Sequence, residues 1–322
     1  MELALVLALL LLGIVLIVKG GSLFVDAASW IAEASGIPKL IVGATIVSLA
    51  TTLPELLVSV MAAAKGKTDM AVGNAVGSVT ANIGLILAVS LLCMPAVIRR
   101  KDYLLKSLLM LGATGLLLAC GSTGQLALGM SAALLAVFAV FMGENVTSAL
   151  HAMAERPGPA ENRPSAGGRT LAVNLLKFAA GTVGIVWGAD LLVDSGSELA
   201  RFIGISERVI GVTIVAVGTS LPEFITTITA IVKKQSSLSV GNILGANIID
   251  LTLILPLSAL VSGQTLPITA GFARFDLPVC LLVGCTALVP ALITERFRRW
   301  QGLVLLGIYG TYVALTCTVM GG

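Results

Sequence analysis

Ala50-Thr51-Thr52-Leu53-Pro54-Glu55 returns 168 positions later as Gly218-Thr219-Ser220-Leu221-Pro222-Glu223. The same offset carries Gly36-Ile37 onto Gly204-Ile205 and Val42 through Val47 onto Ile210 through Val215. It also carries Gly73-Asn74-Ala75-Val76-Gly77 onto Gly241-Asn242-Ile243-Leu244-Gly245, and Asn82 onto Asp250. Upstream, Asp26 meets Asp194; downstream, Arg100 and Asp102 match Arg274 and Asp276 after a six-residue slip. An offset held over this length marks an internal duplication.

The surroundings of the repeated phrase are apolar. Hydrophobic residues make up 57% of the 322-residue chain, charged residues 11%, and mean hydropathy is +1.02. Soluble domains carry roughly 25% charged residues, so there is too little charge here to coat a water-facing surface. A net charge of +3, with scattered Lys and Arg, gives no nucleic-acid footprint. A bilayer core takes about 20 apolar residues per helix. Runs of that kind lie at roughly 3–28, 39–64, 70–96, 103–121, 125–149, 170–196, 206–232, 238–262, 268–294 and 299–320. Met1-Glu2 is followed by apolar residues without a basic stretch, which predicts a retained first helix.

The polar stretch from Glu155 to Arg169, with three prolines, divides these runs five from five. The chain therefore reads as a first repeat, 1–150, with its motif at about 43–82; a flexible linker, 151–169; and a second repeat, 170–322, with its motif at about 211–250. Five crossings per half is an odd number, so the halves must be oppositely oriented. The predicted fold is an all-α integral membrane protein of ten transmembrane helices in two inverted five-helix repeats, with a site where the repeats meet at the midplane. One set of loops gathers most of the basic residues, among them Arg99, Arg100, Lys101, Lys233, Lys234, Arg296 and Arg298. The other holds Lys65, Lys67, Arg201, Arg208 and Arg274. The positive-inside rule makes the first side cytoplasmic, with the 151–169 loop, and puts both termini outside. The expected location is the cell membrane.

Glu55 and Glu223 fall deep within the second and seventh runs. An ionisable residue at that depth costs several kcal/mol unless compensated and marks function by default. The only basic residues of these runs, Lys39 and Arg208, stand at their starts, so the compensating charge at the depth of the glutamates is expected from solution, as a cation. Pro54 and Pro222 each remove one backbone N–H and collide with the carbonyl four residues back, which frees oxygens near Ala50, Thr51, Gly218 and Thr219. Thr52 and Ser220 add hydroxyls three residues before each Glu. In the third run Asn74, Ser78 and Asn82 share a helix face; in the eighth it reads Asn242, Ala246, Asp250. Gly73 and Gly77, four apart, allow close backbone approach. An all-oxygen donor set suits hard cations such as Ca²⁺ and Na⁺.

On these residues the chain resembles the calcium/cation antiporter superfamily and is most similar to prokaryotic sodium/calcium exchangers, over essentially all ten runs. The resemblance implies electrogenic exchange of Na⁺ for Ca²⁺ by alternating access. It implies ions held between the second, third, seventh and eighth helices while the first and sixth slide across them. Carried over, the Ca²⁺ ligands, and the metal site proper, are Glu55 and Glu223 with the carbonyls of Thr51 and Thr219. The Na⁺ ligands add Thr52, Ser78, Ser220 and the carbonyls of Ser48 and Ala216, with Asn82 and Asp250 at the centre. The transported ions are the only partners implied besides lipid; no cofactor is implied, and the chain is expected to be monomeric.

Two positions depart from the family pattern. Ala246 stands where a Ser is usual, and Val79-Thr80 replaces the Asn that often follows Ser78. Losing a neutral oxygen weakens a Na⁺ site by roughly 1–3 kcal/mol. Rival readings are H⁺-coupled Ca²⁺ export through the titratable glutamates, and K⁺-dependent exchange, since Asp250 resembles the acid of K⁺-dependent members. An intramembrane enzyme lacks a nucleophile-plus-base pair at membrane depth: the single histidine, His151, opens a polar loop. Cys93, Cys120, Cys280, Cys285 and Cys317 sit in apolar runs without CxxC spacing. A passive channel would ordinarily use a ring of carboxylates from several subunits.

Overall fold

The computed structural model describes residues 3–34, 48–95, 97–155, 168–232, 236–263 and 265–318. In chain order the helices are α1 (Leu3–Ala34), α2 (Ser48–Thr51), α3 (Leu53–Ala64), α4 (Thr68–Cys93), α5 (Arg100–Thr123) and α6 (Leu128–Glu155). They continue as α7 (Gly168–Ile203), α8 (residues 207–219), α9 (Leu221–Val232), α10 (residues 236–261), α11 (Phe272–Thr294) and α12 (Arg299–Thr318). Eight helices among the described residues are long and apolar enough to cross a membrane. Their outer faces show Leu11, Leu176, Trp187 and Leu303 to the surroundings, as lipid-facing helices do.

The expected second and seventh crossings are not single helices. Residues 39–47 lie outside the described residues; the rest of the second run breaks between α2 and α3 at Thr52 (φ −85°, ψ 0°). The seventh breaks between α8 and α9 at Ser220 (φ −79°, ψ 7°). The two breaks fall at repeat-equivalent positions with matching dihedrals. Each places its proline second in the following helix, where a missing N–H costs nothing. Helices also overrun the expected linker: α6 continues through 151–155, carrying His151 within a helix, and α7 begins at Gly168. The intervening 156–167 lies outside the described residues.

Burial separates a centre from a periphery. Within their most apolar windows α4 is 78% buried and α10 83%, against 28% for α1 and 22% for α7. The fragments α3, α8 and α9 pack around α4 and α10. Gly77 on α4 makes this possible: a Cβ there would lie 2.6 Å from Val212 Cα and 2.9 Å from Ala216 Cβ. Helices α1 and α7 run antiparallel at the edge and meet through bare backbone. A Cβ on Gly13 would stand 2.9 Å from the Gly188 carbonyl oxygen, and one on Gly20 2.8 Å from that of Gly181. Under the 168-residue offset Gly13 is Gly181 and Gly20 is Gly188, so the seam maps onto itself.

Contacts at the bundle ends agree with the two loop sets. Lys65 bonds Asp190 (2.6 Å) and Asp194 (2.9 Å), and Lys67 bonds Asp194 (3.1 Å). In the more basic set the Arg100 amide donates to Glu295 (3.0 Å) and Arg99 pairs with Asp102 (2.7 Å). A two-residue antiparallel pairing, Gln125–Leu126 with Leu266–Pro267, ties the α5–α6 connection to the α10–α11 connection.

Candidate ion-binding site

Glu55 and Glu223 each sit in the first turn after a helix break, Glu55 on α3 and Glu223 on α9, and both are fully buried. The neighbouring charges that Glu55 feels are other acids, Glu223 and Asp250. Asp250, likewise fully buried, faces Glu223. Three carboxyl groups from both repeats thus share one interior region, and the ion pairs described above lie elsewhere. Like charges gathered out of water repel, and only protons or cations relieve that. Among the described residues no three His, Cys, Asp or Glu side chains are drawn tightly enough to hold a metal by themselves. Hydroxyl, amide and carbonyl oxygens are therefore needed to complete any coordination shell.

Those oxygens come from across the repeat boundary. The Ser220 hydroxyl of the second repeat faces the Glu55 carboxylate, and the Thr51 hydroxyl of the first faces Glu223. Each of these contacts crosses from one repeat to the other. Backbone bonds still span both breaks: the Leu56 amide donates to the Thr52 carbonyl (3.1 Å) and the Phe224 amide to the Ser220 carbonyl (3.0 Å). Thr52 itself is buried at the N-cap position of α3 without a side-chain cap bond. The Ser220 Oγ, both Glu55 oxygens, both Asp250 oxygens and Asn82 Oδ1 are buried without a well-formed hydrogen bond. Buried acceptors left this way are costly unless something positive meets them.

A second tier holds the breaks in place. Asn74 donates to the Glu55 carbonyl (3.2 Å) and to Ser59 Oγ (2.9 Å), and accepts from Thr219 Oγ1 (3.1 Å). Thr219 also donates to the Ala216 carbonyl (3.2 Å), which Ser78 approaches at 3.5 Å. Asn74 thus bolts α3 to the end of α8. Ser48 heads α2, but its side chain lies outside the described residues. Pro54 and Pro222 stand two residues after the two breaks. Ala246 is fully buried and offers only a methyl group.

Over residues 5–144 and 173–318 the sequence matches the sodium/calcium exchanger protein family. The chain belongs to that family. It is 34% identical to the inner membrane protein YrbG of Escherichia coli K12, over 96% of this chain and 95% of that one. It is 30% identical to the sodium/calcium exchanger MaX1 of Methanosarcina acetivorans, over 95% of this chain and 97% of that one. A solved structure of the sodium-calcium exchanger NCX_Mj covers 97% of this chain and 99% of its own, with TM-score 0.67 and 27% identity.

Three features of this exchanger-family chain escape the sequence reading. The first is a pair of π-helical turns, Asn82–Leu87 in α4 and Asp250–Ile254 in α10, each opening on the polar residue in question. Such turns re-aim side chains and recur at functional sites. The second is Asn247, fully buried and accepting a hydrogen bond from Asn82 Nδ2 (3.0 Å). Its repeat counterpart is Val79, so symmetry draws the eye away from it; its place three residues before Asp250 was the available signal. The third is a buried group outside the site, in which Asp276 bonds Arg208 and accepts from the Tyr312 hydroxyl (2.9 Å).

Proposed function

We propose that the chain is a secondary active antiporter that exchanges Na⁺ for Ca²⁺ by alternating access. The observation that carries this reading is the crosswise pair, Glu55 with Ser220 and Glu223 with Thr51, buried together with a third acid, Asp250. Two ionised glutamates balance one Ca²⁺, and the carbonyls of Thr51 and Thr219 complete its shell. Na⁺ satisfies the same carboxylates with help from Thr52, Ser78, Ser220, Asn82, Asp250 and the carbonyls of Ser48 and Ala216. The two cargoes therefore compete, and an empty site with bare carboxylates resists crossing a dehydrated intermediate. The α2–α3 and α8–α9 segments are the second and seventh of ten crossings in two inverted repeats. The protein works as a monomer in the cell membrane, both termini outside and residues 151–169 cytoplasmic.

The test is uptake of radiolabelled Ca²⁺ into proteoliposomes loaded with Na⁺ and diluted into Na⁺-free buffer at equal pH. Uptake that needs internal Na⁺ and disappears in Glu223→Gln is the expected result. A second reading, H⁺-coupled exchange on the same fold, is favoured by one observation: Ala246 withholds a hydroxyl beside a third carboxyl group. Uptake driven by a pH gradient and indifferent to Na⁺ would give it preference.

A further inference from the structure

Asn82 holds an amide whose two ends are chemically opposite. Its Nδ2 donates to Asn247 Oδ1 at 3.0 Å, while its Oδ1 is buried without a hydrogen-bond partner. A primary amide can turn over and present either end, and toward a cation the N–H₂ end is repulsive and the oxygen attractive. Which end Asn82 leaves free is decided by Asn247, and Asn247 is itself constrained. Its Nδ2 points at the Met110 sulfur of α5, 4.0 Å away. A thioether has no proton to donate, so it can receive only the N–H₂ end of Asn247. That leaves the Asn247 oxygen for Asn82, and the Asn82 oxygen for whatever lies beyond. All three side chains are buried, with Met110 and Asn247 at 0% exposure and Asn82 at 1%.

We infer that Asn247 is a positioning residue for Na⁺: a directional relay from Met110 through Asn247 locks the Asn82 amide with its oxygen toward the cation. The inference rests on the proposal that Asn82 is a Na⁺ ligand. It explains an asymmetry that the duplication leaves unaccounted for. Asn247 sits opposite Val79 in the repeat, and Asn82 opposite Asp250. An aspartate needs no such partner, because both of its oxygens attract a cation; an asparagine does. The amide at 247 stands where the neutral ligand at 82 requires an acceptor, and valine stands where the charged ligand at 250 requires none.

The test is a double-mutant cycle in proteoliposomes, with Na⁺ half-saturation, maximal Ca²⁺ uptake and thermal midpoint measured for Asn247→Leu, Asn82→Ala and their combination. Asn247→Leu is expected to raise Na⁺ half-saturation about five- to tenfold, the size of one lost neutral hydrogen bond. It should leave maximal uptake within about twofold and add nothing in the Asn82→Ala background. Asn247→Asp, which still accepts from Asn82 but adds an acid to the buried group, is expected not to raise Na⁺ half-saturation above the wild-type value. If Asn247→Leu does not fold, Asn247→Ala enters the same cycle. Multiplying effects in the double variant, or a loss confined to maximal uptake and thermal midpoint, would overturn the relay. An Asn82→Ala variant with unchanged Na⁺ dependence would instead remove Asn82 from the ligand set, and the relay with it.

Discussion

Ser220 and Ala246 bear on the same question from opposite directions. Ser220 Oγ faces Glu55 but closes no well-formed hydrogen bond with protein. Removing it in Ser220→Ala should therefore leave folding nearly unchanged. A missing neutral ligand costs about 1 kcal/mol, so we expect Na⁺ half-saturation to rise roughly fivefold with an unshifted thermal midpoint. Ala246→Ser adds a hydroxyl at a fully buried position near Asp250 and should lower Na⁺ half-saturation about two- to fivefold; a change in pH dependence without a change in Na⁺ dependence would contradict the assignment. The glutamates and prolines were legible in the sequence, because carboxylates among apolar residues stand out and their repetition removes chance. The crosswise pairing of hydroxyls was not. An internal repeat reveals which residues are equivalent, whereas contact depends on how two copies wrap around one another.

Helices α1 and α7 meet at Gly13, Gly20, Gly181 and Gly188, where any side chain would strike the partner's backbone. Gly188→Leu is expected to lower stability by about 1–3 kcal/mol, read as a falling thermal midpoint. Gly143→Leu is the control, since a Cβ there meets nothing within 4 Å. The Lys65–Asp190–Asp194–Lys67 group fastens the end of α3 to α7 through partly exposed pairs, worth about 0.2–1 kcal/mol each. Burial opposes the charge on Lys65, but its bonds to Asp190 and Asp194 outweigh this and raise its pKa above the ordinary lysine value. A raised folded-state value means the contribution is whole below the unfolded lysine pKa and fades as pH climbs through the higher one. Transport should thus respond to Asp190→Asn with Asp194→Asn, and to ionic strength, while the lysine side of these pairs adds no pH dependence between about pH 6 and 9. At this scale eight of the ten apolar runs coincide with helices, among the described residues, long and apolar enough to cross a membrane. The runs gave the breaks imperfectly, because hydropathy averages over the residues at which a helix stops and restarts.

The two halves are joined less by the chain than by what passes between them. Asn74 with Thr219, Asn82 with Asn247, the glycine seam, the short strand pair and Arg100 with Glu295 all cross from one half to the other. Fragments 1–155 and 168–322 expressed together are expected to co-purify through a tag on either one and to retain Ca²⁺ uptake; fragments that never associate would show that the linker does more than connect. Orientation is open to a separate check. In a cysteine-free background, a cysteine replacing Arg163 should react with an impermeant maleimide only from the cytoplasmic side, and one replacing Lys67 only from outside. The inequality of Asn82 and Asp250 has a historical consequence as well. A pair of first halves would bring together two asparagines and, with Val79 in place of Asn247, nothing to orient either amide. A pair of second halves would gather two glutamates and two aspartates in one buried region. The first pairing keeps the two glutamates that one Ca²⁺ neutralises but leaves both amides unoriented, and the second carries two carboxyl groups more than that ion can balance. Each copy has shed something its sibling kept, so whatever two-chain ancestor preceded this fusion, the duplication can no longer be undone.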